Sequence, residues 1–262
     1  MTAHGMVSRE GKPIGVDFSC YWAASAMALR GEPSAVLMTS KRLYAVEEEA
    51  VGQGTFVALW YYPPTFLIIV LPAALVGYLW ALGIWTTLTF AGYSMVLRKI
   101  IPRAETFWPA LAFPGVFANL QNGQNGLLTF SLLGGALLSL ESRPLLAGAL
   151  FGLLTYKPQM GVLVPLVLVA TGRWRAFFAA AVTAIAFAGI SLVMFGAGTW
   201  GAFLNTLEPA RRVIIGGGVR FYTMQSVFSG ARLLGAGTRA AYTSQILAPA
   251  LASSRHTAMS AI

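Results

Sequence analysis

Three short stretches of this chain could do chemistry. The first is "GVDFSCYW", which holds the chain's one aspartate, Asp17, beside Tyr21 and Trp22. A carboxylate at a membrane surface can act as general base on a hydroxyl, or bind a cation or a sugar. The plainer reading of Asp17 is an N-cap for the helix that follows. The second stretch is "LLTYKPQMGVLVPL", residues 153 to 166, where Lys157 and Gln159 interrupt an apolar run. A charge inside a hydrophobic span is costly, so it marks a site or the end of the span. Lysine is a compact point charge suited to a phosphate, and snorkelling of its ammonium to the interface is the bland alternative. The third is "QNGQNG", residues 121 to 126. Gln124 and Asn125 offer amide donors and acceptors for sugar hydroxyls or phosphate, or else form a turn in which Asn125 caps the next helix. Tyr21 and Tyr62, the latter in "YYPPTF" at the opening of the first long span, complete the substrate-binding candidates.

Other chemistries find no residues. His4 and His256 stand near opposite termini and have no metal-ligand spacing, so no metal is expected. The chain has no phosphate-binding Walker loop, no dinucleotide-type glycine loop and no Ser/His/Asp set. Glu208 in "NTLEPARR" reads as a solvated carboxylate, and "GGG" at 216 to 218 as a flexible loop. The single cysteine, Cys20, rules out an internal disulfide.

Composition decides what must carry these residues. Of 262 residues, 56% are hydrophobic and 10% charged, against about 25% charged in soluble domains. Residues 61–97, 106–140 and 176–207 contain no charge, and each exceeds the roughly 20 apolar residues that a membrane helix needs. The pattern predicts an all-α polytopic membrane protein of one domain. Residues 1–60 are expected to form an extracytoplasmic juxtamembrane region, 61–195 the transmembrane helices, 196–240 a second polar loop region and 241–262 a truncated C-terminal end. The net charge of +9 comes from bases clustered between apolar runs, as at Arg98, Lys99 and Arg103 or at Arg173 and Arg175. That is a positive-inside pattern rather than a nucleic-acid surface.

Within 1–60, "YWAASAMALRG" and "TSKRLYAVEEEA" read as amphipathic helices lying on the membrane or as solvated surface helices. In the second, Thr39 or Ser40 is the N-cap and Leu43, Val46 and Ala50 share a face, with Glu47, Glu48 and Glu49 elsewhere. Residues 64–97 are long for one span and tight for two, with breaks on offer at Pro72, Gly77 and Gly83. Short helices follow near 105–118, 126–140, 144–156, 159–171 and 176–195. Broken helices in a bilayer surround cavities, because freed backbone groups need partners. With the arginine clusters in the cytoplasm, "QNGQNG" and "YKPQ" fall on the opposite face. Residues 1–60 share that face only if 64–97 crosses an odd number of times.

The order "DFSCYWAASAMALRGEP", "YYPPTFLIIVLP", "NGQNGLLTFSLLGGALL", "RPLLAGALFGLLTYKPQMGVLVPL", "GRWRAFFAA", "FGAGTWGAFL" and "MQSVF" resembles the polyprenyl-phosphate-dependent hexosyltransferases of glycosyltransferase family 87, also known as domain of unknown function 2029. The likeness covers residues 15 to 247. It implies a GT-C-type helix bundle in the bacterial inner (plasma) membrane. It also implies inverting transfer of a mannose-like hexose from a polyprenyl-phosphate donor to a lipid or glycan acceptor at the extracytoplasmic face, with no cofactor. The family's base is an aspartate in the first extracytoplasmic loop, the position Asp17 matches. Lys157 and Gln124 match its "K-P" and "GQ" segments. The family has a membrane helix before that aspartate and several helices beyond residue 262, and "VLM" at 36–38 stands where many relatives have a tyrosine and an acidic residue. A chain shortened at both ends is therefore expected. A permease and an inactive fragment of the transferase family are the competing readings.

Overall fold

The computed structural model describes residues 2–4, 6–8, 11–38, 40–53, 60–103, 105, 107–216, 221 and 226–259. Apart from an antiparallel ribbon of β1 (Thr2–His4) and β2 (Val7–Ser8), the regular structure among them is helical. The chain divides into two compact units, Met1–Thr206 and Leu207–Ile262.

In the first unit, α1 (Val16–Leu29) is the hub. Gly15 precedes it in the left-handed conformation at φ 71°, and Gly31 ends it at φ 80°. Glu32 N–H then bonds back to the Met27 carbonyl at 2.9 Å, the closing bond of a glycine-stopped helix. The surface-lying role expected of this segment does not hold. Phe18, Ala23, Ala24 and Met27 are fully buried, because alanines on several faces let neighbours approach from all sides. Those neighbours are α3 (Ser40–Val51), α4 (Pro64–Val70) and the 3-10 turn Leu71–Leu75. Between α1 and α3 lies the one-turn α2 (Ala35–Met38). On α3, Leu43 and Val46 face inward as their spacing predicts, but Glu47 is buried with them at 1% exposure and accepts from Ser19 Oγ at 2.8 Å. Thr39 lies outside the described residues.

Residues 64–97 form two helices. Pro63 and Pro64 open α4, and Pro72 sits in the 3-10 turn that breaks it. Gly77 then starts α5 (Tyr78–Ile100), with Gly83 inside it. The broken segment's backbone finds its partner on α1: Ser25 Oγ donates to the Leu71 carbonyl at 2.6 Å and accepts from Ala74 N–H at 3.1 Å. A break inside an apolar layer persists when such a side chain satisfies the freed groups.

The next helices are α6 (Phe107–Ala112), α7 (Pro114–Asn122), α8 (Gly126–Ser139), α9 (Pro144–Leu153, continued by a 3-10 turn to Tyr156) and α10 (Pro158–Ala170). Glycines set their spacing. A Cβ on Gly134 would fall 2.6 Å from Val96 of α5, and one on Gly148 would fall 2.4 Å from the Ala176 carbonyl. Small residues let helix backbones meet this closely where lipid gives no hydrophobic drive for association.

α11 (Trp174–Ile215) is two helices joined at Gly196, whose φ of 79° and ψ of 161° suit glycine alone. From Leu207 onward it belongs to the second unit, which adds α12 (Val227–Leu233) and α13 (Thr238–Met259). The polar loop expected over 196–240 is thus largely helix. Its charges pair along the helix surface, Arg211 and Arg212 with Glu208 at three and four residues, which suits a polar helix as well as a loop. In the same unit Phe228 packs on Tyr242, and Gln245 accepts from Phe228 N–H at 2.9 Å.

α5 and α11 are long and apolar enough to cross a membrane. Their outward faces are apolar: Trp80, Leu88, Val182 and Ile185 are exposed, and Val193 is 87% exposed. Apolar faces of this extent on a protein surface mark contact with lipid or with another protein.

Candidate active site

Asp17 sits in the first turn of α1, with Gly15 in the N-cap position, so the capping role is not the one it plays. Its half-buried carboxylate faces the side chain of Gln124, more than a hundred residues later. The α7–α8 turn makes this meeting possible. Gly123 ends α7 with φ 64°, and a Cβ there would lie 2.5 Å from Phe18 Cβ. Only glycine lets the turn press onto α1 beside Asp17. Trp85 Nε1 of α5 holds the turn by donating to the Gly123 carbonyl at 3.0 Å. Gln124 stays exposed while Asn125 is buried, so one amide faces outward and the next inward.

Burial pushes the Asp17 carboxyl above the usual carboxylate range, and the hydrogen bond from Gln124 partly offsets that. When ionised it is a stronger base than a solvated aspartate. Burial likewise pushes the Tyr21 and Tyr62 hydroxyls up, keeping them protonated as donors, and the Asp17 charge adds to both shifts.

Tyr21 and Tyr62 meet through their hydroxyls at 3.1 Å. Both rings pack edge-on or tilted against Phe66, and Trp60 Nε1 donates to the Tyr62 carbonyl at 2.8 Å. Asn125 stands in the N-cap position of α8 but makes no side-chain cap bond. Asn119 Oδ1 takes that part instead, accepting from Leu127 N–H at 3.3 Å. The Asn125 side chain lies by the Tyr62 hydroxyl, yet among the described residues its Nδ2 reaches no acceptor in bonding geometry. A buried amide donor without a partner costs about 1–3 kcal/mol, so a ligand oxygen there would be welcome.

Lys157 adjoins this cluster through Tyr156, which sequence reasoning passed over. Tyr156 is fully buried, stacks on Phe66 at 5.0 Å, and shares a 2.7 Å hydrogen bond with Thr129 Oγ1. Lys157 separates the turn that ends α9 from α10. Its half-buried ammonium lies over the Tyr156 ring, 5.9 Å from the centroid. Among the described residues no carboxylate pairs with it, Asp17 included. Gln159 is exposed in the first turn of α10 and has no hydrogen bond to the cluster. The structure therefore gathers Asp17, Tyr21, Tyr62, Gln124 and Asn125, sets Lys157 at their margin, and leaves Gln159 apart.

An apolar groove of about 520 Å³ begins at Phe18 and Trp85 and runs between α5, the 3-10 turn and α8, past Leu88 and Leu128. Among the described residues no group of three His, Cys, Asp or Glu side chains could hold a metal.

No curated protein and no solved structure matches the chain. The pattern of glycosyltransferase family 87 matches residues 60–257, a segment containing Tyr62, Gln124, Asn125, Lys157 and Gln159 and preceded by Asp17 and Tyr21. The chain belongs to glycosyltransferase family 87 and is a glycosyltransferase.

Proposed function

We propose that this chain is a multi-pass membrane enzyme of the GT-C type that transfers a hexose from a polyprenyl-phosphate donor to a lipid or glycan acceptor at the extracytoplasmic face. Asp17 is the base. Its carboxylate takes the proton of the acceptor hydroxyl as that oxygen attacks the anomeric carbon. The bond from that carbon to the phosphate oxygen breaks, and polyprenyl phosphate leaves with the electron pair. Lys157 stabilises the phosphate, and the ring of Tyr156 holds the ammonium in place. Gln124, with the unpartnered Asn125 amide and the hydroxyls of Tyr21 and Tyr62, binds sugar oxygens. The groove leading from Phe18 and Trp85 takes the first isoprene units of the donor.

The observation that carries this reading is the meeting of Asp17 with Gln124, whose neighbour Asn125 holds a buried amide without a partner. A permease would place its carboxylate within a span. Asp17 instead lies ahead of the first long apolar helix, and the family is one of transferases.

Asp17→Asn tests it. The variant keeps the shape and the contact with Gln124 but loses the basicity. Transfer from a radiolabelled polyprenyl-phosphate hexose in membrane vesicles should fall by about 10²–10⁴, with donor binding retained. Transfer at the wild-type rate would remove Asp17 from the mechanism.

A further inference from the structure

The end of the first unit remote from Lys157 carries a second concentration of positive charge. α9 and α11 run in parallel there. Gly148 meets Ala176, and one turn later Gly152 meets Thr183, at separations that would put an added Cβ within 2.5 Å of its neighbour. Their N-termini therefore lie side by side. Arg143 occupies the N-cap of α9, and Arg175 the first turn of α11. The two arginines face each other across a cavity of about 460 Å³, floored by Pro144, Leu145 and Leu146.

This arrangement is electrostatically unfavourable alone. A helix N-terminus already carries about half a positive charge, so a cation there is repelled. Here two N-termini and two guanidiniums share one cavity. The acid at this end, Glu141, is committed to Arg173, with which it forms a close ion pair. Among the described residues neither Arg143 nor Arg175 has an acidic partner.

An apolar crevice opens at the same end. It occupies about 340 Å³ between α8 and α10, with Leu137, Val164 and Val167 on its walls and Thr171 and Arg173 at its mouth. From Met160 to Thr171 it follows α10 for roughly 16 Å, about the reach of a medium acyl chain.

We propose that Arg143 and Arg175 bind the headgroup phosphate of an anionic phospholipid whose acyl chain passes Arg173 and lies in the crevice beside Val164. A free phosphate would use the guanidiniums and leave the crevice bare. A zwitterionic lipid would fill the crevice but offer its phosphate with a compensating cation. Only an anionic lipid answers both halves. The site rests on the membrane reading given above but not on the sugar-transfer chemistry. By the charge pattern of the loops it lies on the cytoplasmic leaflet, where anionic headgroups are drawn to basic pockets between helices.

Native mass spectrometry of the full chain in detergent, titrated with phosphatidylglycerol or phosphatidylcholine of equal acyl length, tests the site. Phosphatidylglycerol should bind about 30-fold more tightly, at roughly fivefold for each of two arginines. The Arg143→Gln/Arg175→Gln variant should lose that preference. Val164→Trp, which fills the crevice, should weaken phosphatidylglycerol binding while sparing the fold, read by circular dichroism. Equal binding of the two lipids, an unchanged preference in the double variant, or glycerol phosphate binding as tightly as the lipid would each overturn the proposal. Release of the chain from membranes by alkaline carbonate would defeat the membrane reading and this site together. Loss of lipid preference in a chain that carbonate leaves in the membrane would defeat this site alone.

Discussion

α9 and α10 each have cations at both ends, and the two ends differ in kind. At the Lys157 end there is one ammonium, half-buried, set over the ring of Tyr156, whose hydroxyl bonds to Thr129 of α8. At the other end Arg143 and Arg175 are exposed without an acidic partner among the described residues, and Arg173 is paired with Glu141. Both ends are proposed above to take a phosphate. One buried point charge within a fixed shell can hold a single group at one position relative to a base. Exposed arginines hold a headgroup with little demand on its orientation. Sign of charge alone thus distinguishes neither end, whereas burial and the neutral groups around each cation do.

The sharpest way to break this comparison is to ask whether the ends lie across a membrane from each other. In a Cys20→Ser background, Lys157→Cys should react with an impermeant thiol reagent added from outside, and Arg143→Cys only after the membrane is opened. Cys20 itself is buried. Both positions reacting from the same side would undo the topology and the separation of roles. A smaller effect is expected from Lys157→Met, which removes the charge and keeps the stem. A charged hydrogen bond to phosphate is worth roughly 1.5–3 kcal/mol, so donor affinity should fall about 10- to 150-fold. Tolerance of methionine would reduce Lys157 to a snorkelling residue.

The smallest effect concerns pH. Activity should rise with pH as Asp17 ionises, at a pH above that of an ordinary carboxylate, because burial lifts its pKa. The stability contribution runs the other way: the raised pKa costs stability once pH passes the unfolded carboxylate's range, and the cost is fully present above the folded pKa. Gln124→Leu removes the bond that favours the ionised form. The acid limb of the rate profile should move to still higher pH, with a loss of about 2- to 10-fold on that limb beyond any loss on the plateau. An unmoved acid limb would separate Gln124 from Asp17.

Much of the frame was legible in the chain. Pro144, Pro158 and the uncharged runs between them mark α9 and α10 to within a few residues, since proline at a first helical position and a change of polarity are local signals. The start of α1 was less so. Asp17 reads as lying ahead of a helix but falls within its first turn, because left-handed Gly15 begins the helix earlier than the apolar pattern does. Glu47 was missed although its position carries a signal. It stands four residues after Leu43 and three before Ala50, the spacing of the buried face, and a glutamate there is discounted only because of its charge. The pairing of Asp17 with Gln124 had no local signal. It depends on Gly123 passing against Phe18, and nothing in "QNGQNG" says which helix the turn will meet. Tyr156 could have been suspected as an aromatic directly before the lysine of an apolar run.

That same contact between Gly123 and Phe18 imposes an order on biosynthesis. The turn that covers Phe18 is made more than a hundred residues after it. At translation rates of about 5–20 residues per second the wait is roughly 5–20 s. α1 gains α4 and the 3-10 turn about halfway through that interval and Gly123 only at its end. Asp17 can meet Gln124 only once α5 has delivered Trp85 and α7 has ended. The contact of Asp17 with Gln124 therefore forms only after more than a hundred further residues have been made, and until then that face of α1 goes uncovered.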